Sequence, residues 1–103
     1  MRIALLPIVL LVAACQGDPV KCEKGIRHYA ELVYWEQADA EIAAAPAAQR
    51  DTLRKDKLAK FHHDMERGLP TVVSKCQTAN SDAELDCMLA AKTAKQAKAC
   101  VDD

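Results

Sequence analysis

The chain has only three glycines among its 103 residues, too few to build the tight turns that cradle nucleotide phosphates. Aromatics are as scarce. Tyr29, Tyr34, Trp35 and Phe61 barely supply an ordinary core, so core packing is expected for them rather than a pocket lined together with His28. Neither sign of charge dominates, with 14 basic against 15 acidic residues and a net charge of -1. That balance leaves no basic stripe for nucleic acid and no polybasic patch for anionic headgroups. The cysteines contain no C-x-x-C pair, which argues against redox catalysis and against zinc sites built on short paired spacings. No serine, histidine and carboxylate arrangement is visible either, so no enzymatic activity and no cofactor are expected. Strand signals are nearly absent.

What is present begins at the N-terminus. Met1-Arg2 carries a positive charge, and residues 3–14 form an uncharged apolar run with small residues at its exit, the order of an export signal. The run would rise about 18 Å as a helix against a hydrocarbon core of about 30 Å, so it is too short for a permanent span. Pro7 disfavours a membrane helix further. The closing residues, Val12-Ala13-Ala14-Cys15, resemble the lipobox of bacterial lipoprotein precursors. The resemblance implies a signal peptide over 1–14, an acylated Cys15 at the mature N-terminus, and attachment to a lipid bilayer through fatty acyl chains such as palmitate. Residues 15–21 would then be a short tether of at most about 20 Å, and 22–103 a single domain. Gln16, rather than aspartate, follows the cysteine. That matches the pattern associated with outer-membrane sorting, so the expected location is the cell envelope, at the outer membrane facing the periplasm.

With Cys15 set aside, Cys22, Cys76, Cys87 and Cys100 remain. An even count in a small exported domain predicts two disulfides. The periodicity around them is helical. Cys22, Ile26, Tyr29 and Val33 predict a helix from about Val20 to Ala44, ended by Pro46. Leu58, Phe61, Met65 and Leu69 predict an antiparallel partner beginning at Pro46 or Ala47, with Gly68 and Pro70 reading as its stop. Thr71–Cys76 reads as a separate short segment. Ser81 with Glu84 fits a capping box for a third helix. Beyond Lys92 two readings stay open. Cys87, Ala90, Ala94, Ala97 and Val101 share one face of an unbroken helix, whereas Thr93 with Gln96 suggests a turn and a new start. An unbroken helix would hold Cys87 and Cys100 about 20 Å apart, far outside bridging distance. A break lets them meet, and Cys22–Cys76 with Cys87–Cys100 is the preferred pairing. The expected fold is all-α, a small disulfide-stapled bundle of a helical hairpin with two or three shorter C-terminal helices.

The stretch from Cys76 to Cys100, with Cys87-Met88-Leu89-Ala90-Ala91-Lys92 at its centre, resembles the tail of small four-cysteine helical lipoproteins of Gram-negative bacteria such as myxobacteria. The resemblance implies a fold and a location, not an activity. The expected role is a non-catalytic, membrane-anchored interaction or structural module with a protein partner at the membrane surface. A second expectation is a small-ligand or metal-binding lipoprotein using His28, His62 and His63, since imidazole suits zinc and copper. Adjacent helical histidines point about 100° apart and rarely chelate one ion. A solvated helix face is therefore favoured for them, and no metal is expected. Lys92, Lys95 and Lys98 are likewise read as a solvated face.

Overall fold

The computed structural model describes residues 16–101. The expected signal peptide and Cys15 lie outside these residues. The described chain folds as an all-α bundle: α1 (Pro19–Ala44), a 3-10 turn (Ala47–Gln49), α2 (Arg50–Ala79), α3 (Asp82–Ala90) and α4 (Ala94–Val101). Of the two or three shorter C-terminal helices expected beside the helical hairpin, two are present among the described residues.

Helix α1 starts at Pro19, one residue before the expected Val20. Asp18 caps it, its carboxylate accepting from the Val20 amide at 2.9 Å, with proline at the first helical position. At the other end Ala45 turns extended before Pro46. The last carbonyls of α1 find a partner across the turn: the Arg50 guanidinium donates to the Ala45 and Ala43 carbonyls at 3.0 and 3.1 Å. This cationic cap at a helix C-terminus is favoured by the dipole.

Helix α2 corrects the expected stop at Gly68–Pro70. It runs through Pro70 without ending and closes only at Asn80, which adopts the left-handed conformation and donates to the Cys76 carbonyl. Proline inside a helix costs about 3 kcal/mol. Packing on both sides of it offsets that cost: Leu69 is buried, and Val73 and Cys76 pack against the core cluster of Cys22, Leu85 and Met88. The inward stripe of α2 also differs from expectation. Leu53, Lys57, Phe61, Met65, Leu69 and Val73 are buried or half-buried, while Leu58 is exposed. Lys57 takes the inner place, where a long aliphatic stem can cover apolar surface and keep its charge outside.

The open question beyond Lys92 resolves as a break. The Ala91 amide reaches back to the Cys87 and Met88 carbonyls and ends α3. Thr93 Oγ1 accepts from the Gln96 amide at 3.1 Å, and Gln96 Oε1 accepts from the Lys92 amide at 2.8 Å. This reciprocal pair of side-chain caps starts α4 without glycine or proline. Ser81, by contrast, stands at the start of α3 without a side-chain cap bond. The fold-back brings Cys87 and Cys100 to a Cα separation of 5.8 Å, and they are bridged; Cys22 and Cys76, at 6.0 Å, form the second disulfide.

Helix α1 is the spine. It packs against α2, α3 and α4, whereas the backbones of α2 and of the α3–α4 pair stay apart. One core zone lies at the N-terminal end of α1, around Cys22, Leu85 and Met88. A second lies along the hairpin, where Phe61 packs on Tyr34 and Trp35 at ring distances of 5.0 and 6.3 Å. The Tyr34 hydroxyl donates to the Lys57 carbonyl at 2.6 Å. Gly25 has a defined role between α1 and α3: a Cβ there would come within 2.7 Å of Leu85 Cδ2.

Candidate functional site

Because α2 and α3 diverge from a shared contact with α1, an apolar groove of about 390 Å³ opens between them. Ile26 and Tyr29 of α1 contribute to it, with Val72, Cys76 and Ala79 from α2 and Leu85 and Met88 from α3. Val101 closes one edge and, like Val72, is a large hydrophobic left exposed. Lys75 and Glu84 are its charged members, one on α2 and one on α3. The groove is lined by apolar side chains from all four helices, with one charged residue of each sign.

The chain enters the fold at the same end of the hairpin. The Gly17 amide donates to the Gln77 carbonyl at 3.0 Å, and Gln77 Nε2 donates back to the Gly17 carbonyl at 3.3 Å. A Cβ at position 17 would meet Gln77 and Asn80 at 3.2–3.4 Å, so a larger residue there would need these neighbours to give by a few tenths of an ångström. Lys21 of α1 reaches Asp86 at 2.8 Å and Asp82 at 3.4 Å. The hydrogen bond to Asp86, aided by Asp82, raises the Lys21 ammonium above its usual 10.5 against a smaller opposing effect of burial.

The three histidines do not come together. His28 donates from Nε2 to the Ala91 carbonyl at 2.6 Å, fastening α1 to the α3–α4 turn. His62 and His63 lie exposed on α2. Phe61 packs at the level of Tyr34 and Trp35, which sets His62 about 10 Å further along α1 than His28. Among the described residues no three histidine, cysteine, aspartate or glutamate side chains are grouped as a metal site. His28 instead borders a shallow cleft of about 530 Å³ with Leu32, Trp35 and Ala94, and the charged residues Glu31 and Lys92 lie at its edge. Lys95 also lines it, while Lys98 stays exposed.

The groove was not legible in the sequence, since its lining comes from four helices and its existence depends on how α2 and α3 lean on α1. The clamp had a readable signal in Gly17 before Asp18-Pro19, a glycine followed by a helix start. Among the described residues no helix is long and apolar enough to cross a membrane. Comparison of the chain with protein families, characterised proteins and solved structures finds no match.

Proposed function

We propose that the protein is a lipid-anchored, non-catalytic module of the bacterial cell envelope. On this reading an acylated Cys15 holds it to a membrane, and its groove receives an amphipathic helix of a protein at the same surface. The clamp of Gly17 on Gln77 is the observation that carries the reading. A residue two positions after Cys15 already belongs to the folded body, so an anchor there would keep the groove close to the bilayer, within reach of a membrane-surface partner. The groove suits one helix laid across it, apolar side down. Lys75 would meet an acidic residue on one flank of that helix and Glu84 a basic residue on the other.

Mass spectrometry of the mature N-terminal peptide tests the anchor. Acyl mass on Cys15 with Gln16 following it is expected, together with loss from the membrane fraction in Cys15→Ala. An unmodified thiol, or cleavage at another bond, would overturn the anchor. A photo-crosslinking residue at Val72 in intact cells tests the groove, with exposed Thr52 as control. A discrete adduct at position 72, lost in Val101→Lys, is expected; equal labelling at both positions would overturn the docking role.

A further inference from the structure

We infer that the Cys87–Cys100 bridge is a site of thiol–disulfide exchange open to a dithiol reductant, and that its opening releases α4 from α1 while Cys22–Cys76 holds the hairpin closed. This is a switch acted upon from outside, not a catalytic redox centre, and it does not depend on acylation of Cys15.

The two bridges differ in access at one end: Cys76 and Cys100 are both half-buried, so the difference lies between their partners. Cys22 is 1% exposed within the cluster of Leu85 and Met88, whereas Cys87 is exposed on α3 and Cys100 half-buried on α4. Exchange requires a thiolate to reach a sulfur atom, so access decides which bridge reacts. The attacking thiolate forms a mixed disulfide with Cys87 Sγ, and the Cys87–Cys100 bond breaks with its electron pair passing to Cys100. That thiolate takes up a proton. Cys100 Sγ lies 3.4 Å from the Gln96 carbonyl oxygen, an acceptor for the thiol thus formed. The second thiol of the reductant then displaces Cys87, leaving the reductant oxidised to a disulfide and the protein with two thiols.

Among the described residues, α4 rests on α1 through a small apolar contact, with Cys100 also packed against the core cluster. Its eight residues fall below the length at which an isolated helix is stable, and it buries only Ala94 and Ala97, the smallest apolar side chains available. The His28 bond secures Ala91, which lies ahead of α4 and not within it. Trp35, the single tryptophan of the chain, lines a cleft together with Ala94 and Lys95. It is therefore a built-in reporter of α4.

The test reduces the native full chain stepwise with dithiothreitol, traps thiols by alkylation, and follows peptide masses, Trp35 emission and helical circular dichroism together. Cys87 and Cys100 should become labelled at least about tenfold faster than Cys22 and Cys76. The Trp35 red shift should belong to that first step, with most of the helicity kept. The Cys87→Ser/Cys100→Ser variant should show the same shift without reductant. Simultaneous labelling of all four thiols, earlier labelling of Cys22 and Cys76, or an unchanged Trp35 in the first step would each overturn the proposal. A double variant without helical signal would overturn it too, since the hairpin must stand without this bridge.

Discussion

Gly25 and Gly68 are both interior to helices, and their surroundings give them opposite meanings. A Cβ at Gly68 would meet nothing within 4 Å. Gly68→Ala should therefore raise stability by about 0.5–1 kcal/mol through helix propensity alone, read as a higher urea midpoint. At Gly25 the same gain competes with a 2.7 Å approach to the buried Leu85 side chain. Overpacking costs about 1–3 kcal/mol, so Gly25→Ala should lower the midpoint. Pairing it with Leu85→Ala should cost less than the sum of the two single changes, because removing the leucine branch removes the clash. The pair Glu41 and Lys57 makes one acid-sensitive contribution to the hairpin. The Lys57 hydrogen bond, with its charge, holds Glu41 below its usual 4.5, and Glu41 in turn raises Lys57 above 10.5. A depressed carboxylate stabilises the fold above the unfolded value and loses that contribution as pH falls through the folded one. The melting temperature should thus fall as pH drops below 4.5, and Glu41→Gln should flatten that limb. Both groups are solvated, so the effect is small and salt should weaken it. The raised Lys57 stabilises at lower pH and loses its share as pH rises through its own folded value, placing the second limb above 10.5.

At the scale of elements, the boundaries written in local chemistry were legible. Pro46 ends α1 as expected, and Thr93 with Gln96 supplies the break that was one of two readings open beyond Lys92. Each of these works within a few residues, so a window of sequence contains its whole cause. Pro70 was not legible. Its local preference is for a stop, and what overrides it is burial of Leu69 and Val73 against helices distant in sequence. Pro70→Ala should therefore stabilise the protein by about 1–3 kcal/mol, restoring a backbone donor and relieving a steric clash where the helix is already continuous. A lower denaturation midpoint in that variant would mean that α2 needs the proline. Arg50 belongs to the same lesson: it reads as an ordinary basic residue at the start of α2, yet serves the carbonyls that end α1. The candidate groove was illegible for a related reason. Val72, Leu85 and Val101 have no common period, and only the divergence of their helices joins them.

Across the whole molecule, the two disulfides close loops of unequal size. Cys22 and Cys76 are 54 residues apart, and Cys87 and Cys100 are 13 apart. On the loop-entropy model the first should contribute about 4 kcal/mol and the second about 3. Cys22→Ala/Cys76→Ala should accordingly lower the melting temperature more than Cys87→Ala/Cys100→Ala. The difference should grow further because Cys22 also fills core volume. Equal losses would mean that the large loop is already restrained in the unfolded chain. The hairpin also gives the molecule reach. A helix of 30 residues rises about 45 Å, so the Ala47–Gln49 turn stands about 40 Å from Gly17 at the opposite end. With the chain entry pinned to Gln77, the hairpin behaves as a mast on a short foot. A tilt of about 10° at the foot would sweep the tip through about 7 Å, and anything in contact with that tip would sense the angle at which the base is held.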